Sequence, residues 1–151
     1  MNEIEEFVSS VLADKGKYQK LDLGELSEKQ ITQINEHLDI NLEGFRRVLD
    51  NSGVVHAFKK HGDAKAEVSR GQIVITEEDF SKIIEIVENP DKIEYIGKNK
   101  IGNDMILYEK NYDLILVRYI EGIRQNKKKH RKELYLETLY KKKPSKKNFE
   151  G

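Results

Sequence analysis

The chain contains no cysteine, and this absence removes disulfide bonds and thiolate chemistry from consideration. Its four histidines are scattered without an HExxH or comparable spacing, so the sequence gives no sign of a protein-built zinc site. Long apolar runs are also missing, because no stretch approaches the roughly 18 residues of a membrane-spanning helix. The N-terminus is acidic where a secretory signal would be basic. We therefore expect a cytoplasmic protein with no membrane partner, unless another component carries it elsewhere.

Charge is abundant and unevenly distributed along the 151 residues, which suffice for one hydrophobic core but are few for two. Residues 122–151 hold 11 Lys or Arg against 3 Asp or Glu, whereas residues 1–50 hold 6 against 11 and residues 51–121 hold 10 against 13. Clustered cations attract a polyanion and release its counterions. The basic final part therefore favours a phosphate-rich partner, with a solvated basic tail as the alternative.

Helical patterns dominate the first half of the chain. The S-x-x-Q sequence at Ser27 is a capping box, which predicts a helix start. Gly62 follows a run of apolar residues at helical spacing and predicts a left-handed helix end. The predicted helical pieces lie at residues 2–13, 27–39, 42–49 and 52–61, with a polar connector at 14–24.

Strand patterns dominate the second half. A helix that begins at Thr76 with acids in its first turn and ends at Asn89-Pro90 is predicted to cover one sheet face. Strands joined by short turns form antiparallel meanders. The predicted fold class is therefore α+β, with N-terminal helices followed by a four- to five-stranded antiparallel meandering sheet. The predicted strands lie at residues 72–76, 92–97, 105–110, 114–121 and 133–141.

Side-chain alternation assigns residues to the two faces of this sheet. The strand at 114–121 is apolar on both faces, so it is predicted to be central, and Arg118 within it needs a carboxylate or an anion as partner. In the last strand, alternation places Leu136, Thr138 and Tyr140 on one face.

Two histidines and two arginines suit the cleavage of RNA without a metal. In that reaction the ribose 2′-OH attacks the neighbouring phosphate, a base takes its proton and an acid protonates the leaving 5′-oxygen. His56 and His61 can divide these roles near neutral pH. Arg70 and Arg118 are candidate phosphate clamps because guanidinium groups bind phosphate in a bidentate manner.

Three further side chains are candidates for substrate contacts. Thr138, together with Tyr108 or Tyr140, can donate hydrogen bonds or stack on an exposed base. Thr138 is equally an ordinary strand-forming residue, and the tyrosines are equally sheet-packing residues. Two histidines on a short helix are, from spacing alone, more often a surface pair.

Four stretches follow one another in the sequence: residues 54–62 (VVHAFKKHG), 70–76 (RGQIVIT), 89–93 (NPDKI) and 134–141 (LYLETLYK). Together they resemble the phage-associated nuclease domains of the barnase–EndoU–colicin–RelE superfamily, which occur fused to Mu F-like head proteins and in polymorphic toxins. The most specific parts are the H-x(4)-H-G and the final L-x-L-x-T-x-Y-K. The resemblance extends from about Leu23 to Lys143 and implies the helix-then-meander fold predicted above.

The resemblance implies a metal-independent endoribonuclease, toxin-like, often directed at tRNA, and without a cofactor or metal. Motif position points to four catalytic residues, which are His56, His61, Arg70 and Thr138. As substrate-binding residues we predict Arg118, Tyr108, Tyr140, Lys141 and Lys142. The expected partners are RNA and an acidic immunity or antitoxin protein. The protein itself is expected to be phage-encoded or delivered into a target cell.

The domain organisation follows from the extent of the resemblance. Residues 1–22 are predicted to form an N-terminal helix and connector, residues 23–143 the nuclease domain and residues 144–151 a disordered basic tail. Two other functions are considered. One is a non-catalytic module that binds nucleic acid or serves a phage structure. The other is an ADP-ribosyltransferase-like effector, which would need Arg70 or Arg118 to act with Glu137.

Overall fold

The protein, as a computed structural model, is described over residues 2–129 and 131–143, so the predicted tail at 144–151 lies outside the described residues. The helices are α1 (Glu3–Ala13), α2 (Glu28–Asn35), α3 (Asn51–His61), α4 (Ala64–Ser69), α5 (Glu77–Phe80) and α6 (Ile83–Glu88). The strands are β1 (Lys20–Glu25), β2 (Arg46–Asp50), β3 (Gln72–Ile73), β4 (Lys92–Lys98), β5 (Asp104–Tyr112), β6 (Ile115–Asn126) and β7 (Arg131–Lys142). None of these helices is both long and apolar enough to cross a membrane.

The strands form one mixed sheet in the order β1-β2-β7-β6-β5-β4, and β3 pairs with the end of β7. The pairing of β2 with β7 is parallel, and the other pairings are antiparallel. The α+β class and the central position of β6 are thus confirmed. A purely antiparallel sheet of four or five strands is wrong. β7, which the chain reaches after α3 to α6 and the meander β4 to β6, pairs in parallel with β2.

The two additional strands lie where the sequence predicted no strand. β1 falls partly in the predicted polar connector, and β2 falls in the predicted helical piece at 42–49. Both strands are short, and apolar spacing over five or six residues does not separate a strand from a helical turn. The sheet contacts of β2, four of whose five residues are buried, decide the outcome.

Several helix ends occur where capping residues predicted them. Ser27 Oγ accepts a hydrogen bond from the backbone N–H of Gln30 at 3.2 Å, and the N–H of Thr76 donates to Asp79 Oδ2 at 2.7 Å. The helix after Thr76 is divided into α5 and α6. α3 ends at His61 as predicted, but Gly62 has φ −92° and is not left-handed. The reason is that the chain turns directly into Asp63, which caps the unpredicted helix α4.

The hydrophobic core lies between the helices and one face of the sheet. Helix α1 contributes Ile4, Val8 and Val11 to this core, so the N-terminal segment packs on the rest of the chain. The sheet contributes the apolar residues Ile106, Val117, Tyr119, Leu134, Leu136 and Leu139. The opposite face, called the polar face below, carries Glu109, Arg118 and Tyr140 together with the apolar residues Leu107, Leu116 and Ile120.

A bulge in β7 changes which side chains share a face. Thr138 pairs with Ile120, but Leu136 pairs with the next residue of β6, Glu121, so Glu137 has no opposing residue. The extra residue reverses the alternation. Leu136 is buried in the core, whereas Tyr140 contacts Arg118 on the other face. The prediction that Leu136, Thr138 and Tyr140 share one face is therefore wrong.

Helix α3 lies against the second half of β7, where β2 has already ended. The approach is close because Gly53 has no side chain: a Cβ there would overlap the backbone carbonyl oxygen of Leu136. Gly53 is fully enclosed, and its N–H is capped by Asp50 Oδ1 at 3.0 Å. This contact fixes the position of the helix that carries both predicted catalytic histidines.

We expect Gly53→Ala to lower the free energy of unfolding by about 1–3 kcal/mol, because the added methyl group forces helix and strand apart. The change would otherwise favour the helix by about 1 kcal/mol, so a loss identifies the close contact as its cause. Gly16→Ala is the matched control, since a Cβ at Gly16 meets no atom within 4 Å. Urea unfolding measures both variants, and equal stability of the two would contradict the close packing.

Candidate active site on one face of the sheet

Arg118 occupies the centre of the polar face. Cross-strand pairing places it between Glu109 of β5 and Tyr140 of β7. Its guanidinium forms an ion pair with Glu109, and Nη1 donates a hydrogen bond to the Tyr140 hydroxyl at 3.0 Å. The prediction that a carboxylate accompanies this strand arginine is confirmed. The result is a cation with a fixed position and a tyrosine held by its hydroxyl.

The last residue of α3, His61, stacks on the same tyrosine. The two ring centroids are 5.1 Å apart, and the ring planes differ by 23°. His61 Nδ1 lies 3.1 Å from Oε2 of Glu67, a fully buried residue of α4. The second oxygen of Glu67 is paired with Arg70, which also donates to the Lys60 carbonyl. The end of α3, α4 and β7 thus meet at one histidine.

The surroundings of His61 keep its imidazole neutral. Burial lowers the pKa of His61 below the ordinary value, and the Glu67 carboxylate opposes this shift only in part. With Nδ1–H donating to Glu67, the lone pair resides on Nε2. Nε2 makes no hydrogen bond to any residue that the structure describes. His61 is therefore a buried histidine whose Nδ1 is held by a carboxylate and whose protonated form is disfavoured.

His56 lies about one and a half helical turns earlier on α3 and has an exposed side chain. It lines an open cleft of about 380 Å³ together with Arg124, Tyr135 and Glu137. The guanidinium of Arg124 lies over the Tyr135 ring, 4.5 Å from its centroid. The two predicted histidines therefore occupy neighbouring but different environments.

Two predicted substrate contacts, Tyr108 and Lys141, lie on the opposite, core-facing side of the sheet. The Tyr108 hydroxyl donates to Glu121 at 2.6 Å inside a buried cluster with Arg47. Lys141 Nζ forms an ion pair with Asp79 of α5 at 2.9 Å. Both side chains hold the sheet to other core-side groups, and neither faces Arg118. Burial and the bulge in β7 account for these positions.

The remaining predicted residues are Thr138 and Lys142 on β7, with Arg70 after α4. Thr138 Oγ1 is buried without a hydrogen-bond partner among the described atoms. Lys142 is half-buried near the end of β7, opposite Leu116 of β6. Arg70 keeps 42% of its side chain exposed while it contacts Glu67.

The sequence prediction named neither Glu67 nor Arg124 as part of this region. Glu67 belongs to α4, whose only local signal was the capping residue Asp63. Arg124 belongs to a part of β6 that was predicted as a turn. Glu137 accepts hydrogen bonds from Asn99 and Tyr135, and the described contacts pair it with neither Arg70 nor Arg118.

The residues that the structure describes include no group of three or more His, Cys, Asp or Glu arranged to hold a metal ion. What the polar face offers is a carboxylate-held imidazole next to a fixed guanidinium. Proton transfer beside a held cation is the chemistry of phosphodiester cleavage. Fold and site together thus point to the class of nucleases.

A comparison with protein families agrees with this class. The family model described as phage-Barnase-EndoU-ColicinE5/D-RelE like nuclease3 matches residues 25–149, and the chain belongs to this family. The resemblance stated from the sequence is confirmed. Neither the curated proteins nor the solved structures include a match to the chain.

We expect His61 to titrate below the ordinary histidine pKa of about 6.5, and Glu67→Gln to lower the pKa further. Burial disfavours the imidazolium, and the substitution removes the charge that partly offsets burial. Heteronuclear NMR of the histidine Cε1–H groups measures both values. A lowered pKa in the folded state means that the unfolded chain binds a proton at His61 more readily than the folded chain does. His61 should therefore reduce the free energy of unfolding as the pH falls below about 6.5.

Glu78→Gln is the matched control for this titration, because Glu78 is an exposed glutamate in the first turn of α5. It should leave the His61 pKa unchanged. A His61 pKa at or above the ordinary value, or one that Glu67→Gln does not move, would contradict the assigned contact.

Proposed function

We propose that this nuclease is a metal-independent endoribonuclease that cleaves RNA by attack of the ribose 2′-OH and leaves a 2′,3′-cyclic phosphate. One observation carries the proposal. His61 is held by the buried carboxylate of Glu67, its Nε2 has no partner among residues 2–129 and 131–143, and its ring stacks on the tyrosine that Arg118 holds. Such a base is suited to a hydroxyl nucleophile that the substrate itself provides.

The two histidines divide the proton transfers. Nε2 of His61 takes the proton of the 2′-OH, whose oxygen then bonds to phosphorus while the bond from phosphorus to the 5′-oxygen breaks. His56 gives a proton to the leaving 5′-oxygen. This assignment follows from their environments, since burial disfavours the protonated form of His61, whereas His56 lines an open cleft.

Other residues of the polar face stabilise the charge on the phosphate. Arg118 and Arg70 hold the non-bridging oxygens, each kept in place by a carboxylate partner. Tyr140 positions His61 and Arg118 together. The Thr138 hydroxyl, which has no hydrogen-bond partner among the described residues, donates to the bound RNA, and Lys142 contacts the RNA backbone. Tyr108 and Lys141 have no part, because they face the core.

The biological setting is part of the same proposal. The substrate is a cellular RNA such as tRNA, the enzyme acts in the cytoplasm of a target cell as a toxin, and an acidic immunity or antitoxin protein covers its basic segment. The family's association with phage nucleases and the charge excess of residues 122–151 support this setting.

The decisive test is cleavage of total tRNA by the purified chain in EDTA, with analysis of the product ends. We expect discrete fragments with 2′,3′-cyclic phosphates, and a loss of about 100-fold or more in rate for His61→Ala and for His56→Ala. His37→Ala is the control, since His37 is an exposed histidine beyond α2, and it should cleave like the wild type. RNA that is bound but left intact would contradict the proposal and identify a non-catalytic binding module.

Thr138→Val separates a catalytic role of the hydroxyl from a structural one. The substitution keeps the shape of the side chain and removes a buried hydroxyl that has no partner. We expect the melting temperature to stay the same or rise, while the cleavage rate falls by about tenfold, the equivalent of one lost hydrogen bond. An unchanged cleavage rate would exclude Thr138 from the reaction.

A further inference from the structure

The cleft beside His56 has properties that the proton-transfer chemistry does not use. It lies between the start of α3, the turn that joins β4 to β5, and the neighbouring strands β6 and β7. Its volume of about 380 Å³ falls in the range of small-molecule sites. The side chains that matter here are those of His56, Ile101, Asn103, Arg124, Tyr135 and Glu137.

Tyr135 is held in the wall of this cleft from both sides. It pairs directly with Gly122 of β6, where a Cβ would overlap the tyrosine ring, so only a glycine leaves room for it. Arg124 covers the ring with its guanidinium, and the edges of that guanidinium are held by Glu133 and Asp50 at 3.0 and 3.2 Å. The wall is therefore preorganised.

A hydrogen-bond network fixes the carboxylate of Glu137. The Tyr135 hydroxyl accepts from the side-chain amides of Asn99 and Asn103, both at 2.9 Å, and donates to Glu137 Oε1 at 2.8 Å. Asn99 donates to the same oxygen at 2.6 Å. Burial raises the pKa of Tyr135, so this hydroxyl remains a donor. Tyr135 and Asn99 thus donate to Glu137, and Asn103 holds Tyr135 in place.

The network leaves acceptors facing a ligand. Glu137 Oε2 and Asn103 Oδ1 make no hydrogen bond to any described residue, although both residues line the cleft. A carboxylate and an amide oxygen accept hydrogen bonds and donate none. The cleft therefore selects a flat ligand that presents adjacent N–H donors and stacks on a guanidinium or an aromatic side chain.

We propose that this cleft is a nucleobase subsite that prefers guanine, with the carboxylate of Glu137 as the acceptor for the guanine N1–H and N2–H groups. Among the four RNA bases, guanine alone has two neighbouring donors on its Watson–Crick edge. Adenine and cytosine present a ring nitrogen lone pair beside their amino group, which a carboxylate repels, and uracil offers one donor between two carbonyls. The proposal rests on the proposed function for its ligand, RNA, but it concerns binding and not cleavage.

The subsite also connects base recognition to the reaction. His56 lines the same cleft, so a guanine bound there brings its own ribose and phosphate to the helix that carries both histidines. Because bases can be read only when they are unstacked, the substrate is a single-stranded or loop guanosine. Glu137 would thereby act as a specificity-determining residue.

The test uses labelled hexanucleotides of uridine with one central guanosine, inosine, adenosine or cytidine. Their riboses carry 2′-fluoro groups, so the probes cannot be cleaved by 2′-OH attack. Fluorescence anisotropy gives the dissociation constants for the full chain. We expect the guanosine probe to bind about fivefold tighter or more than the others. Inosine lacks the 2-amino group and should lose several-fold in affinity, a comparison that requires no change in the protein.

Glu137→Gln should abolish the difference between guanosine and inosine, whereas Glu36→Gln, which removes the same charge at an exposed site after α2, should preserve it. His61→Ala should keep the guanosine preference while it stops cleavage.

Equal binding of all probes to the wild type, or an unaltered preference in folded Glu137→Gln, would overturn the subsite. If the wild type prefers guanosine but does not cleave RNA, the proposed endoribonuclease is refuted and the subsite is supported. If it cleaves RNA but binds all probes equally, the subsite is refuted and the endoribonuclease is supported.

Discussion

The extra residue in β7, Glu137, determines which side chains of that strand can act together. Before the bulge, Leu134 and Leu136 point into the core, and after it Thr138 and Tyr140 point to the opposite face. In a regular strand Tyr140 would share the side of Leu136 and would be separated from Arg118. The bulge costs one pair of ladder hydrogen bonds, and the surrounding pairings with β2, β6 and α3 hold it in place.

Three arginines of this region are each paired with carboxylates. Arg118 is paired with Glu109, Arg70 with Glu67, and Arg124 with both Asp50 and Glu133. A paired arginine keeps its geometry but contributes little free charge at a distance. Long-range attraction of a polyanion would therefore fall to the basic residues 127–129 between β6 and β7 and 131–132 at the start of β7, and the proposed phosphate contacts of the paired arginines act at short range.

The sequence predicted those elements whose signals are local, and it missed those that depend on the tertiary structure. Capping residues located the starts of α2 and α5, and long alternating stretches located β4 to β7. β1, β2 and α4 are each five or six residues long, and their neighbours in the fold decide their conformation. The bulge at Glu137 has no local signal in the sequence. For this reason the prediction that Leu136 and Tyr140 share a face is wrong, and so is the prediction that Lys141 contacts the substrate.

The same distinction applies to the two histidines, which look equivalent in the sequence. Their difference comes from Glu67, a residue six positions after His61 that α4 turns back onto the imidazole. A buried carboxylate fixes the tautomer of His61, while burial disfavours its protonated form. His56, five residues earlier, remains exposed to solvent on the same helix. The proposed division of roles rests on this difference in environment, because general acid and general base catalysis place different demands on the two rings.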